Sequence, residues 1–311
     1  MTFPLYFDTK KSLNLYGLSE NFIFLKTLYS KKKFPKILML SGKKGSGKST
    51  LLNHLMFYIF DRENYNENNL ELENQSIFYN QFSNNIHPNI VYISGSNFKN
   101  TKIEDIRNLK SNIFQTSISN QPRFIIFDDV EIFNNNSLNA LLKIIEEPTK
   151  NNFFILINNQ SKPLLKTIKS RSLEVLIILK EKKRLEIIDS LVKNFKIKST
   201  INPKTSLLTP GNFIKFNYIC NENKIVLDED YLKNLGILLN LYKKDKDIMF
   251  IDMISFLTDN YFNQLRNKNI FKNDKIIEYK RFVFENINKF FLYNLNQKAL
   301  LNNINSKIND E

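Results

Sequence analysis

The chain has 311 residues, 42% of them hydrophobic, with a formal net charge of +14 and a pI near 9.5. That length gives room for two or three domains, each with its own core, while the longest apolar runs are far too short to cross a membrane. Cys220 is the only cysteine, which excludes an intramolecular disulfide and a cysteine-based zinc module. His54 and His87 are isolated and read as ordinary core or surface residues. Met1 to Lys11 lacks the charged-then-apolar order of a signal peptide, so a soluble cytoplasmic protein is expected. The positive charge favours polyanionic partners, above all nucleic acid. Part of it follows from a chain rich in Lys, Asn, Ile, Phe and Tyr, as A+T-rich coding gives.

Leu18, Phe22, Leu25 and Leu28 recur at helical spacing within Leu13 to Tyr29, and Lys31-Lys32-Lys33 follow as cations suited to a helix C-terminus. Ile37 to Leu40 reads as a buried strand. Next come Gly42, Lys43, Lys44, Gly45, Ser46, Gly47, Lys48, Ser49 and Thr50, which satisfy G-x-x-x-x-G-K-[ST], the phosphate-binding loop. Leu51, Leu52, Leu55, Met56 and Ile59 then lie along one helix face. Strand, loop and helix in that order aim backbone N–H groups and a helix N-terminus at one anion. Lys48 is the residue for the β- and γ-phosphates of ATP, and Ser49 for magnesium.

Asp61 to Asn85, rich in Asn and Glu, reads as a loop or loose insertion. Ile90 to Ile93 is a second strand, and Thr101 to Glu104 forms a capping box that opens a helix. Phe124 to Phe127 is a third strand closing on Asp128 and Asp129. An apolar strand ending in Asp downstream of a phosphate loop is how such enzymes hold magnesium, which makes Asp128 a metal candidate. A helix follows through Leu138, Leu141, Leu142 and Ile145, stopped by Pro148. A fourth strand, Phe153 to Ile157, ends at Asn158, a candidate sensor of the γ-phosphate. A short helical piece at Leu164 to Ile168 and a fifth strand, Leu173 to Ile178, complete a parallel α/β sheet of βαβ units. Beyond Lys180 the strand signal disappears. Residues 1–179 read as the nucleotide-binding domain, 180–226 as a small helical lid whose short helices are broken by Pro203 and Pro210-Gly211, and 227–311 as a helical domain.

Four stretches carry a family resemblance: the phosphate loop, His87-Pro88-Asn89 with its strand, Ser137 to Pro148 with its N-A-L-L-K-x-x-E-E-P run, and Ile168-Lys169-Ser170-Arg171-Ser172. Together they resemble the bacterial clamp-loader subunits of the AAA+ class, most closely the delta-prime type of DNA polymerase III. Tyr293 to Leu301 resembles that family's closing helix. The resemblance implies an AAA+ domain, a lid and a helical collar that assembles with other clamp-loader subunits into a hetero-pentamer. That assembly opens the sliding clamp and places it on primed DNA, using ATP with Mg2+. It implies that Arg171 is an arginine finger completing a neighbour's ATP site, a contribution of roughly 10³ to 10⁵ in rate. Departures from the family pattern are also visible. Ser172 replaces a Cys, the four-Cys zinc module is missing, Asp129 replaces the catalytic Glu with a side chain one methylene shorter, and Ile214 stands where hydrolysing relatives carry a lid arginine. The pattern implies intact nucleotide binding with damaged hydrolysis. A self-sufficient AAA+ ATPase of the motor type, and a nucleotide-sensing module without a DNA role, remain the alternatives.

Overall fold

A computed structural model describes residues 3–95, 121–146, 151–268 and 273–309. The capping box at Thr101 to Glu104 and the residues Glu147 and Pro148 lie outside the described residues. Two compact units are present, one of residues 3–195 with 209–212 and one of 196–208 with 213–311.

The first unit is built on a five-stranded sheet. Its strands are β1 (Ile37–Ser41), β4 (Ile90–Ser94), β5 (Arg123–Asp128), β6 (Asn152–Asn158) and β7 (Leu173–Leu176), in the order β4-β5-β6-β1-β7, with every pairing parallel. Uninterrupted apolar runs suit such strands because helices cover both faces. Alternate residues separate accordingly. Leu38, Leu40, Phe124, Ile126, Ile155 and Ile157 pack with helices α1 (Ser19–Ser30) and α2 (Lys48–Phe60), whereas Met39, Ile125, Phe127, Phe154 and Leu156 pack with α4 (Asn135–Glu146). After β1 the chain leaves for the far edge, returns through β5 and β6 to β1's side, and then crosses to β7. Ligands of such sheets bind at the carboxyl ends where the order reverses. The fold class expected from the sequence, a parallel α/β sheet domain followed by an all-α C-terminal region, is the one observed among the described residues.

Two local expectations are corrected. The helix read from Leu13 begins at Ser19, because Leu13 to Leu15 runs extended and bonds to the segment at Leu70 to Leu72 (Leu15 N–H to Leu70 O 3.1 Å, Leu72 N–H to Leu13 O 2.9 Å). The stretch from Asp61 to Asn85 is not loose. It forms a small hairpin, β2 (Tyr65–Asn66) with β3 (Glu71–Leu72), and a helix, α3 (Ile77–Ser83), capped by Ser76. Tyr65, Leu72, Phe78 and Phe82 are buried in the main core, so four apolar anchors outweigh the polar residues between them.

Helices α5 (Lys166–Ser170) and α6 (Glu181–Phe195) complete the strand-bearing unit. The second unit is helical throughout its described residues: α7 (Pro203–Ser206), α8 (Pro210–Asn223), α9 (Tyr231–Asp245), α10 (Ile248–Asn267), α11 (Asn273–Tyr293) and α12 (Gln297–Asn309), the first turn of α8 belonging to the strand-bearing unit. Pro203 and Pro210 each open a helix and so separate the short helices of this stretch, since the first helical position needs no N–H. The stretch from Tyr293 to Leu301 is a junction, with Asn294 in the left-handed region (φ 50°) and α12 beginning at Gln297. No helix among the described residues is long and apolar enough to cross a membrane.

Candidate nucleotide site

Three strand ends meet at the carboxyl edge of the sheet. β1 delivers the loop from Gly42, β5 delivers Asp128, and β6 delivers Asn158. The loop turns sharply into α2 through Gly45 (φ 81°) and Gly47 (φ 93°), a conformation that side chains resist. Gly45 is also pressed from outside: a Cβ there would lie 2.5 Å from Thr209 Oγ1 and 2.9 Å from the Asn212 nitrogen. The Thr209 hydroxyl donates to Lys44 O (2.7 Å) and the Gly211 N–H to Gly45 O (2.9 Å), so Thr209 and the first turn of α8 clasp the loop.

Lys48 is 3% exposed, and its ammonium donates to Gly42 O (2.6 Å) and Lys43 O (3.0 Å). Burial lowers its pKa to about 8, while Asp128, Glu131 and Asp129 pull the other way. Asp128 accepts from the Asp129 N–H at Oδ1 (2.9 Å) and from the Tyr92 hydroxyl at Oδ2. Its carboxyl is raised above the ordinary range by burial first and by Asp129 second. Asp129 has left-handed backbone (φ 54°), and its carboxylate is held by the Asn159 side-chain amide. Asn158 is 2% exposed and turned toward the sheet, donating to Ser41 Oγ (3.2 Å) and accepting from the Gln160 N–H (2.9 Å).

The residues present fit a magnesium nucleotide. Among the described residues the buried Ser46 hydroxyl of the loop has no partner, the Lys48 ammonium folds back onto the Gly42 and Lys43 carbonyls of the same loop, and half-buried Ser49 stands in the first turn of α2. Among the described residues no group of three or more His, Cys, Asp and Glu could hold a metal by itself.

Arg171 is not brought to this edge. It closes α5 immediately before β7, whose Leu173 pairs with Leu38 near the start of β1, so it stands at the amino edge of the sheet, opposite the phosphate loop. Its guanidinium donates to Thr167 O (3.1 Å) and pairs with Glu146 (3.1 Å). Ile214 is buried, 5% exposed.

Sequence reasoning missed Tyr92, Asn159 and Glu131. Glu131 is 4% exposed and accepts from the Asn159 N–H (3.1 Å) and the Ser161 hydroxyl (2.8 Å), fastening the turn after β5 to the end of β6. Strand register reveals Tyr92, which lies opposite Ile126, one alternation before Asp128, whereas Asn159 and Glu131 show only in the hydrogen bonds of the turns.

A family model described as DNA polymerase III, delta subunit, matches residues 18–182. The chain belongs to this family. Its resemblance to delta-prime and gamma subunits is borne out by curated relatives. A DNA polymerase III subunit delta-prime of Buchnera aphidicola from Schizaphis graminum is 31% identical over 50% of this chain and 49% of that protein. A subunit delta-prime of Pseudomonas aeruginosa is 34% identical over 24% and 23%, and a Buchnera subunit gamma is 35% identical over 30% and 26%. The chain spans about a quarter to a half of the length of these relatives. Among solved structures, a DNA polymerase III gamma subunit-related protein of Thermotoga maritima aligns with a TM-score of 0.45 at 19% identity, over 90% of this chain and 96% of that one.

Proposed function

We propose that the chain is a delta-prime-like subunit of the DNA polymerase III clamp loader. It holds a magnesium nucleotide at Gly42 to Thr50 with Ser49 and Asp128 toward the metal, turns ATP over weakly by itself, and lends Arg171 to the ATP site of a neighbouring subunit. Its partners are the other loader subunits in a hetero-pentamer, the sliding clamp and primed DNA, and its place is the cytoplasm. The observation that carries this reading is the opposition of Arg171 and the phosphate loop across the sheet: an arginine at the amino edge cannot serve the site at the carboxyl edge of its own chain, whereas its exposed position suits a site on a neighbour.

The bound nucleotide and its magnesium would supply the phosphoryl group and neutralise its charge. Lys48 and the loop amides bind the phosphates, and Asp128 orients toward the metal. Asp129, tied to Asn159, is a poor orienter of water, and Ile214 is uncharged where the resemblance expects an arginine. Weak hydrolysis by the isolated chain follows. Steady-state ATP turnover by the chain alone and in the assembled loader tests the reading. Arg171→Ala leaves nucleotide affinity of the chain unchanged and lowers turnover of the assembly by at least about 10²-fold, toward the scale of other arginine fingers. Unchanged assembly turnover removes the finger, and robust turnover by the chain alone replaces the reading with a self-sufficient ATPase.

A further inference from the structure

The Tyr92 side chain is placed by register. In the parallel pair of β4 and β5, Tyr92 lies opposite Ile126 and Ser94 opposite Asp128, so Tyr92 and Asp128 share a face of the sheet one alternation apart, within reach of a phenol. Its hydroxyl donates to Asp128 Oδ2 while the Asp129 N–H donates to Oδ1 at 2.9 Å. Each carboxylate oxygen thus has one donor from the protein and keeps a further lone pair. The ring is held as well: the Lys10 ammonium lies 4.0 Å from its centroid and bonds to Asn85. The segment bearing Lys10 is anchored by Asn53, whose amide donates to Thr9 O at 2.7 Å. Packing at this place requires a ring. It does not require a hydroxyl, and the hydroxyl is spent on the Asp128 carboxylate.

We propose that Tyr92 is a positioning residue that fixes the Asp128 carboxylate for the divalent cation of a bound nucleoside triphosphate. The inference rests on the nucleotide reading of the loop. Groups that hydrogen-bond a metal-ligating carboxylate fix its rotamer, and losing one commonly costs 10- to 100-fold in metal affinity. In Tyr92→Phe the ring and its contact with Lys10 remain, but Oδ2 loses its donor and Asp128 is held by the Asp129 N–H alone.

The test is the affinity of the full chain for a fluorescent, non-hydrolysable ATP analogue, measured with magnesium and with a chelator, in wild type and Tyr92→Phe, with the melting temperature of each. The expected result is a loss of about tenfold in affinity for the magnesium complex, with metal-free affinity and melting temperature unchanged. Equal loss with and without magnesium overturns the inference and makes the hydroxyl a packing group. So does wild-type magnesium enhancement that persists undiminished in the variant. A wild type that binds no analogue, or binds it without magnesium enhancement, overturns the nucleotide reading itself and this inference with it.

Discussion

The side-chain amide of Asn159 donates to the carboxylate of Asp129, the second acid of the pair that ends β5. Asp128 by contrast has its two donors on its own side of the site, from Tyr92 and from the Asp129 backbone. The two acids are therefore held differently: Asp128 by the Tyr92 hydroxyl and its neighbour's backbone, Asp129 by an amide from the end of β6. Displacing a group that orients the attacking water by about 1 Å can cost on the order of 10² in rate. Because Asp129 is committed to Asn159, Asp129→Asn is expected to fall far short of that in the turnover of the assembled loader, whereas Asp128→Asn is expected to abolish magnesium enhancement of nucleotide binding. A loss at Asp129 as large as that at Asp128 would make it a working catalytic carboxylate.

The sheet was legible in the sequence because strands covered on both faces are continuous apolar runs, and Ile37 to Leu40, Phe124 to Phe127 and Phe153 to Ile157 are unbroken. The phosphate loop was legible because its glycines stand at fixed spacing. Convergence across strands was not, since which side chain of β4 reaches Asp128 depends on pairing register, and Tyr92 carries no local mark. The hairpin and α3 were hidden for another reason. Their anchors Tyr65, Leu72, Phe78 and Phe82 stand among Asn, Gln and Glu, and the one apolar run, Ile77-Phe78-Tyr79, is too short to show a period, although each anchor is buried.

The Lys48 ammonium has its pKa lowered from 10.5 to about 8 by burial. With the folded value depressed, the unfolded chain binds the extra proton between those two values, so the ligand-free fold gains stability as pH rises through that window. Denaturant titrations at about pH 7.5 and about pH 9.5 are expected to show wild type gaining about 2 kcal/mol relative to Lys48→Met. Nucleotide affinity moves the opposite way, falling above pH 8 in wild type as the ammonium is lost, with this component of the decline missing in the variant. Parallel pH profiles for the two proteins would mean that Lys48 is solvated.

His54 sits in α2 with no exposed surface, its Nδ1 3.1 Å from the Tyr65 hydroxyl and its Nε2 without a partner among the described residues. Burial pushes its pKa down to about 3. Below pH 6.5 the unfolded chain takes up a proton that the folded chain refuses, so stability falls with falling pH until about pH 3. At about pH 5 the loss from this one imidazole is on the order of 2 kcal/mol. His54→Leu is expected to flatten the acid limb of a melting-temperature profile by that amount, and an unaltered limb would show that His54 protonates freely in the fold.

Ile77 and Phe78 are adjacent in α3 and opposite in fate, the first 78% exposed and the second 7%. Phe78 meets Phe57 edge-on with ring centroids 4.7 Å apart and stacks on Phe60 and Phe82, both at 5.7 Å. Phe57 belongs to the helix that opens on the phosphate loop, so α3 braces the element that bears Lys48. Truncating a buried phenylalanine costs about 3–5 kcal/mol, while exposed positions change stability by no more than about 0.5 kcal/mol. Phe78→Ala is therefore expected to lower the denaturation midpoint sharply, and Ile77→Ala to leave it nearly unmoved. Near-equal midpoints for the two variants would return Asp61 to Asn85 to the status of a loose insertion and remove the brace from α2.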